Sequence, residues 1–295
     1  MEAKDNFIIF HVSGGIGKNI LATAVVKAIK REYPDWNIIV LTAWKDVWLY
    51  NPSIYRSYVF QQSQYFYSNY IKGKNVQIFA LEPYMSQDYL LQYNHLIPIW
   101  CQMCGVAYEG ESPEIYFNAR EIEYVKNNYV RNEPILLLQT HGGGQSDIKH
   151  SWMRDMPIEI AQEVIEQFRG EVRLMHVRRD DQLQLKDVEQ FKGSIRELLV
   201  LIRESRYRFF IDSMCQHGAM ALGKKSLVCW VRNNPDVLGY ALHDNYVTDA
   251  KDEIDTLDWS VLEPYDISGQ ILQCPFKEGT KLFDVDRIVK AIRNQ

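Results

Sequence analysis

Residues 13–18 read Ser-Gly-Gly-Ile-Gly-Lys and stand where an apolar run ends and a helical pattern begins. At such a turn, unpaired backbone N–H groups and the helix dipole favour an anion or a polar ligand. Glycines there let the ligand approach the backbone closely, so we predict that Gly14, Gly15 and Gly17 belong to a binding site. Purely structural turns also use glycine at this position, and the segment alone does not identify the ligand.

A second group of polar residues lies in the last third of the chain. Asp212 and Ser213 end an apolar run, and His217 lies one turn into the helical pattern that follows. Backbone N–H groups at the start of such a helix can bind a diphosphate, while the side chains can reach sugar or ribose hydroxyls. We predict that these three residues bind a nucleotide-linked substrate; the alternative for His217 is a hydrogen-bonded, partly buried histidine.

Two more candidates follow the apolar run at residues 135–139. Gly142 and Gly143 open a second glycine-rich loop, and Lys149 lies shortly after it. Lys149 could supply a point charge for a leaving diphosphate, a role that would replace a metal ion. The commoner fate of a lysine is a solvated position in a loop.

The elements that position these residues alternate between strands and helices. Residues 7–12 and 38–41 are β-rich runs on either side of a helical pattern at 18–31, which Pro34 ends. The same order returns later, with strands at 135–139, 172–177, 208–211 and 226–230 and helices at 158–168, 195–204 and 216–222. Two such series, each with a glycine-rich loop, predict an α/β fold of two facing Rossmann-like domains with mostly parallel sheets.

The proposed domains are residues 1–130 and 131–295, and the natural site is the cleft between them. The first would bind the acceptor of a reaction and the second a nucleotide. The last helical pattern, at 284–293, is amphipathic. In two-domain α/β proteins such a helix often packs back on the first domain.

Composition narrows the function classes. The 295 residues include 46% hydrophobic and 24% charged ones, as in ordinary globular proteins, and a net charge of −5 lacks the basic footprint of most nucleic-acid binders. No apolar run approaches the length of a membrane span, which predicts no integral membrane segment and a cytoplasmic protein. Cys101 and Cys104 form the single C-x-x-C pair, and without a second ligand pair we interpret them as buried thiols. No metal and no cofactor is predicted.

A nucleotide triphosphatase is one interpretation of residues 13–18. Gly14, Gly15, Gly17 and Lys18 fit the deviant phosphate-binding loop K-G-G-x-G-K-T of chromosome-partitioning ATPases. Asn19, however, stands where that loop has the hydroxyl that holds Mg²⁺. This Mg-ATP-dependent enzyme remains the alternative from a different class.

The segment from Ser194 to Lys224 favours another interpretation. It keeps most of the pattern S-x-R-E-L…D-S-G-P-M-H…A-L-G-K and so resembles glycosyltransferase family nine, the heptosyltransferases. The matching positions are Ser194, Arg196, Glu197, Leu198, Asp212, Ser213, His217, Ala221, Leu222, Gly223 and Lys224. Met214 and Cys215 stand where the family has Gly-Pro.

The resemblance continues through the first half of the chain. The family opens with G-G-I-G-D, a helix, a Y-P turn and a strand, and this chain has the same order through Tyr33 and Pro34. Lys149 and Trp152 are similar to the family's K-x-W loop. The resemblance implies a GT-B fold of two Rossmann-like domains, and inverting, metal-independent transfer of a sugar from a nucleotide-sugar donor. The donor is then a substrate and not a cofactor, bound by Gly142, Gly143, Lys149, Asp212, Ser213 and His217, while Gly14, Gly15 and Gly17 bind the acceptor.

Position 18 is where the chain departs from the family. Lys18 stands in place of the aspartate thought to be the base on the acceptor hydroxyl, and a lysine accepts a proton at neutral pH only if its pKa is lowered. Lys18 could instead bind an acidic group on the acceptor, with Asp46 or Asp88 as the base. A sugar-nucleotide epimerase on the same scaffold is the other consequence left open.

The acceptor itself has a weaker signature. Residues 44–100 hold 15 of the chain's 37 aromatic residues. Aromatic faces stack on sugars and on nucleobases alike, although many of these rings could be ordinary core. The predicted acceptors are therefore a glycan, a lipid-linked sugar or a modified nucleobase, with a nucleic acid as the less favoured partner.

Overall fold

A computed structural model describes residues 6–60, 63–142, 151–255 and 274–295. The first part of the chain forms a parallel sheet of four strands in the order β3-β2-β1-β4. Its strands are β1 (Asn6–Val12), β2 (Asn37–Thr42), β3 (Arg56–Val59) and β4 (Asn75–Phe79). Its helices are α1 (Ile16–Glu32), α2 (Phe66–Tyr70), α3 (Gln87–Leu90), α4 (Leu96–Met103) and α5 (Ala119–Val125). Shorter turns are the 3-10 helices Lys45–Trp48 and Pro83–Met85 and a π-helical turn at Lys126–Val130.

The rest of the chain forms a parallel sheet of six strands in the order β10-β9-β8-β5-β6-β7. Its strands are β5 (Ile135–Leu138), β6 (Arg173–His176), β7 (Glu189–Gln190), β8 (Tyr207–Ile211), β9 (Leu227–Trp230) and β10 (Asp244–Val247). Its helices are α6 (Ile158–Glu166), α7 (Ile195–Glu204), α8 (Met214–Ala221), α9 (Pro235–Leu238), α10 (Lys251–Asp255) and α11 (Val285–Arg293). The two mostly parallel sheets confirm the predicted α/β fold class.

Helix α1 lies at the centre of the molecule. Residues 18–26 are buried without interruption because α1 packs against the first sheet, against α4 and against α8 of the second half. An all-round buried helix of this kind needs apolar or paired side chains on every face. The helix begins directly after Gly15, and its first turn lies against the start of α8.

The hydrophobic core crosses from one half to the other. A single cluster of buried residues includes Ile8 and Ala24 of the first half together with Leu199, Ala219 and Trp230 of the second. The helices α1, α7 and α8 therefore share one apolar interior. The domain boundary at residues 130 and 131 stays a prediction: the two sheets lie on either side of it, but their cores are joined.

The last helix lies on the second sheet. Ile288, Ala291 and Ile292 of α11 are buried in a cluster with Phe209 and Leu227, and α11 contacts α6, β8 and β9. The prediction that this helix packs back on the first domain is therefore wrong, because its apolar side covers a face of the second sheet. In the part of the chain that the structure describes, the helices are too short or too polar to span a membrane.

Candidate active site

The carboxyl ends of parallel strands carry the candidate residues in both sheets. β1 lies between β2 and β4, and β5 lies between β8 and β6, so the strand order reverses at each. Ligands of open parallel sheets bind at such reversals, outside the carboxyl ends. Ser13 follows β1 and Gln139 follows β5, which places the two glycine-rich loops at these points.

The loop after β1 depends on glycine for its shape. Gly14 has a φ of +87°, a conformation that residues with a side chain rarely adopt. Its carbonyl accepts a hydrogen bond from Trp44 Nε1 at 2.9 Å, so the loop is held by a ring from beyond β2. Gly15 caps α1 in extended conformation without a side-chain hydrogen bond.

Lys18 points into the first half and pairs with Glu82. Its Nζ lies 2.6 Å from each carboxylate oxygen of Glu82, and the Ser13 hydroxyl donates to the same carboxylate at 3.1 Å. The rings of Tyr84 and Trp100 lie 5.1 and 5.5 Å from the ammonium group. Burial lowers the pKa of Lys18, while the hydrogen bond and the charge of Glu82 oppose this shift.

Asn19 is a structural residue of this loop. It is fully buried, its amide donates to the Gly15 carbonyl at 3.0 Å, and its oxygen accepts from Thr42 Oγ1 at 2.5 Å and from Trp48 Nε1 at 3.1 Å. An amide that joins the loop to the end of β2 leaves no position for the Mg²⁺-binding hydroxyl of a nucleotide triphosphatase. Together with the Lys18–Glu82 pair, this arrangement disfavours the ATPase alternative.

The two candidate regions meet at Gly17 and His217. A Cβ atom at residue 17 would lie 2.8 Å from His217 Cδ2 and 3.4 Å from Met214 Cα. Because these distances are at or below van der Waals contact, only glycine lets the starts of α1 and α8 approach this closely. The structure thus brings together the predicted acceptor and donor segments, which lie 200 residues apart in the sequence.

His217 is held by the protein on both ring nitrogens. Its Nδ1 lies 2.8 Å from the Tyr240 hydroxyl and its Nε2 lies 3.4 Å from Gln216 Nε2. Burial lowers the pKa of His217 to about 3, and the nearby His95 and His243 add to the shift. The ring is therefore neutral near pH 7, and its predicted role in donor binding stays a prediction.

Asp212 and Ser213 lie at the carboxyl end of β8, as predicted. The Asp212 carboxylate is buried and accepts a hydrogen bond from Asn233, and Gln139 Nε2 donates to Ser213 Oγ at 3.2 Å. Burial raises the pKa of Asp212, whereas Asn233 and the charge of Arg154 oppose the shift. Ser213 precedes α8 without capping it through its side chain, so the first backbone N–H groups of α8 face this edge.

Gly142, the last described residue before residue 151, is held through both of its backbone polar groups. Gly142 N–H donates to Asp155 at 2.8 Å and its carbonyl accepts from Gln182 at 3.0 Å. A Cβ atom at Gly142 would lie 2.6 Å from Arg154 Cζ, so the guanidinium group packs directly on the glycine. Gly143 and Lys149, also predicted to bind the donor, lie outside the described residues.

The side chains of Thr140, His141 and His176 form a hydrogen-bonded group after β5. Thr140 Oγ1 is 2.7 Å from His141 Nδ1 and 2.7 Å from His176 Nε2. Burial lowers the pKa of His176 to about 3, with smaller contributions from His141 and Arg178. No group of three or more His, Cys, Asp or Glu side chains in the described ranges could hold a metal ion.

The matched residues Ser194, Arg196 and Glu197 have structural roles. Ser194 and Glu197 form a capping box at the start of α7. Arg196 reaches across to the first half, where it contacts both carboxylate oxygens of Glu121 at 2.8 and 2.9 Å. The carbonyl oxygens of Tyr116, at 2.6 Å, and of Asp46, at 3.1 Å, accept from the same guanidinium group. We call this set of contacts the Arg196 bridge.

The two acids proposed as bases lie elsewhere on the first half. Asp46 belongs to the 3-10 turn Lys45–Trp48 after β2 and has its carbonyl bound in the Arg196 bridge. Asp88 is in the first turn of α3. The carboxylate that the structure places on Lys18 is that of Glu82, and the roles of Asp46 and Asp88 stay predictions.

Sequence reasoning missed Glu82 and Arg154. Glu82 lies three residues after β4, a short strand with exposed positions that carries no strong pattern. A lone acid in an unassigned loop has no distinguishing feature in one sequence. Arg154 follows the Lys149 and Trp152 block at close spacing, and a second cation beside that block was the available signal.

The aromatic residues of 44–100 divide between core and surface. Trp48, Trp100 and Phe79 are buried, whereas Tyr65 and Tyr67 are mostly exposed. Cys101 and Cys104 are buried in the core, as predicted, and burial raises the pKa of their thiols to about 11 and about 12.

Comparison with solved structures identifies the fold. The chain superposes over 100% of its length on 98% of a glycosyltransferase family 9 protein from Veillonella parvula, with a TM-score of 0.68 and 14% identity. A second similar structure is the dodecameric iron-containing heptosyltransferase TibC in complex with ADP-D-β-D-heptose. The match covers 100% of this chain and 75% of TibC, with a TM-score of 0.60 and 15% identity. E. coli ADP-heptose lps heptosyltransferase II is similar over 82% of this chain and 89% of its own, with a TM-score of 0.58 and 13% identity.

No protein-family model matches the chain, and no curated protein is similar to it in sequence. The likeness to known structures therefore concerns the fold, which is the GT-B arrangement of two facing Rossmann-like halves. The predicted resemblance to family nine is confirmed at this level.

Proposed function

We propose that this chain is a metal-independent glycosyltransferase that moves a sugar from a nucleotide-sugar donor to an acceptor hydroxyl. The donor would lie at the carboxyl edge of the second sheet, and the acceptor, a glycan or a lipid-linked sugar, at the edge of the first. A modified nucleobase is the less favoured acceptor. The observation that carries the proposal is the contact of Gly17 with His217, which joins the two edges into one site.

The chemistry of the second edge suits a nucleotide sugar. The start of α8 offers backbone N–H groups to a diphosphate, and Arg154 lies beside Gly142 with its charge acting on Asp212. Arg154, with Lys149 from the adjoining segment, would neutralise charge that develops on the leaving diphosphate. Asp212 would accept hydrogen bonds from sugar or ribose hydroxyls.

Proteins of this fold suggest which donors to test first. TibC was solved in complex with ADP-D-β-D-heptose, and heptosyltransferase II is named for ADP-heptose. An ADP-linked sugar is therefore the first member of the panel. We place the reaction in the cytoplasm, in keeping with five free cysteines, four of which are buried.

Calorimetry against ADP, UDP, GDP and CMP compounds tests the proposal. One nucleotide should bind without divalent metal, and Asp212→Ala or Lys149→Ala should weaken that binding about tenfold or more, the loss expected for a hydrogen bond to a charged group. Asp252→Ala, an exposed position on α10, is the matched control and should leave binding unchanged. Silence across the whole panel would contradict the proposal.

Activity assays with ATP and with the bound donor separate the alternatives. A nucleotide triphosphatase requires Mg²⁺-dependent ATP hydrolysis that is lost in Lys18→Ala. An epimerase would convert the bound donor to its epimer, whereas a transferase without acceptor should slowly hydrolyse it.

A further inference from the structure

The Lys18–Glu82 pair places a carboxylate beside the glycine-rich loop at residues 13–18. Ser13 and Lys18, at the two ends of the glycine-rich loop, both donate to Glu82. The Tyr84 N–H also points to this carboxylate, at 3.4 Å from Oε1. Four donor contacts from three residues fix its orientation.

The two side chains of the pair differ in solvent exposure. The side chain of Lys18 is 5% exposed, whereas that of Glu82 is 41% exposed. The ammonium group lies against the rings of Tyr84 and Trp100, and the more exposed partner that a ligand can reach is the carboxylate. Lys18 also adjoins Gly17, which places the pair beside the contact with α8.

We propose that Glu82 is the general base of the proposed transfer and that Lys18 is a positioning residue for it. The acceptor hydroxyl gives its proton to a carboxylate oxygen of Glu82, and the oxygen electron pair forms the bond to the anomeric carbon. The bond from that carbon to the diphosphate oxygen breaks, and its electron pair leaves with the nucleoside diphosphate. The exposed side of Glu82 then loses the proton to water.

The arrangement reverses the charges expected from sequence. The family has an acid on α1 at position 18, and here α1 carries the cation while the acid comes from the loop after β4. Lys18 donates to both oxygens of the Glu82 carboxylate and is almost fully buried, so the group that faces an incoming hydroxyl is the carboxylate. Lys18 already pairs with the Glu82 carboxylate, so Glu82 takes the place of the acidic group on the acceptor that was predicted to bind Lys18.

Polar and titratable groups from several elements surround the Glu82 carboxylate. They are Lys18 from α1, the Ser13 hydroxyl and Tyr84, with His11 of β1 within electrostatic range. Burial lowers the pKa of His11, and Lys18 lowers it further, whereas Glu82 acts in the opposite direction. A His11→Gln variant therefore serves as the control for this neighbouring group.

The inference rests on the proposed function, and its test separates the two. The probe is the nucleotide sugar selected by the calorimetric panel, with water and simple sugars as acceptors and nucleoside diphosphate release as the readout. Glu82→Gln should lower kcat by about 10²–10⁴-fold, the span of general-base loss, with nucleotide affinity within about twofold of wild type. His11→Gln, which removes the neighbouring imidazole but keeps the Lys18–Glu82 pair, should turn over as wild type.

Two further experiments keep the inference testable if Glu82→Gln folds poorly. Formate should partly restore turnover in Glu82→Ala, because it supplies a carboxylate to the gap, and should not do so in Lys18→Ala. The exchange Lys18→Glu with Glu82→Lys keeps the ion pair but moves the carboxylate to the buried position, so it should restore stability and not turnover. Glu109→Gln, an exposed acid of the first half paired with Arg31, is the control and should turn over as wild type.

The outcomes are distinct. If no nucleotide binds, the proposed function fails and the inference with it. If the donor binds normally but Glu82→Gln turns over within about threefold of wild type, or formate has no effect on Glu82→Ala, the assignment of the base is wrong while the proposed function stands.

Discussion

Replacing Arg196 tests whether the Arg196 bridge holds the two halves together. In Arg196→Ala, the carboxylate of Glu121 loses its bidentate partner, and the carbonyls of Tyr116 and Asp46 each lose a hydrogen bond. The ring of Phe117, 4.6 Å from the guanidinium carbon, loses a cation–π contact as well. The variant therefore leaves an acid without its partner at the junction of the halves.

The size of the effect follows from burial. Removing one partner of a buried ion pair costs about 3–5 kcal/mol. The side chains of Arg196 and Glu121 are 10% and 23% exposed, and Glu121 keeps its bond from the Asn118 N–H, so the lower end applies. We expect Arg196→Ala to lower the free energy of unfolding by about 3 kcal/mol. Arg196→Lys keeps the charge but not the planar fork and should lose about 1–2 kcal/mol.

Urea unfolding followed by fluorescence and circular dichroism measures the loss. The control is Arg203→Ala on the same helix, whose pair with Glu204 spans 3.4 Å with the arginine 40% exposed, and which should change stability by less than about 0.5 kcal/mol. A loss in Arg196→Ala as small as in this control would refute the reasoning.

The difference in the free energy of unfolding between wild type and Arg196→Ala should also depend on pH. The pKa of Glu121 is lowered in the folded protein: burial alone would raise it, but the bonds from Arg196 and Asn118 and the arginine charge outweigh burial. A group with a depressed folded pKa stabilises above its unfolded pKa and loses that contribution as the pH falls through the folded value. The gap between wild type and Arg196→Ala should therefore narrow in acid, and a constant gap would contradict the ion-pair account.

Two further expectations concern packing. Gly17→Ala should lower the free energy of unfolding by about 1–3 kcal/mol, as overpacking does, and should weaken nucleotide binding, because the new Cβ meets His217. Gly15→Ala meets no atom within 4 Å and is the matched control; equal stability of the two variants would contradict the close approach. A thiol reagent on the native protein should modify Cys274 rapidly and the buried thiols, such as Cys101, only on unfolding, so that fast reaction of a second cysteine would show that the core is open.

The central elements could be predicted because their residues are buried on both faces. The apolar runs that form β1, β5 and β8 read as parallel strands, and α7 begins and ends where its capping box and pattern indicate. The edge strands β3, β4, β7 and β10 were not predicted. They are short and half-exposed, so polar and apolar residues mix without a clear alternation.

The site was predicted in parts and not as a whole. Gly14 to Gly17 and Asp212 to His217 each stand at a strand-to-helix turn, which local pattern reveals. Their meeting depends on how α1 packs on α8, a long-range contact that no local spacing reports. The pairing of Lys18 with Glu82 was inaccessible for the same reason, since 64 residues separate them.

The shared core has a consequence for how the protein is made. The Arg196 bridge spans 75 residues to Glu121 and 150 residues to Asp46, so at synthesis rates of about 5–20 residues per second Arg196 appears about 4–15 s after Glu121. During that interval α1 has its own sheet and α4 to pack on, but α7 and α8 do not yet exist. Until then, the face of α1 that later packs on α8 is exposed to water, and Glu121 lacks its Arg196 partner. Completion of its interior is therefore a late step, which waits for the second half to leave the ribosome.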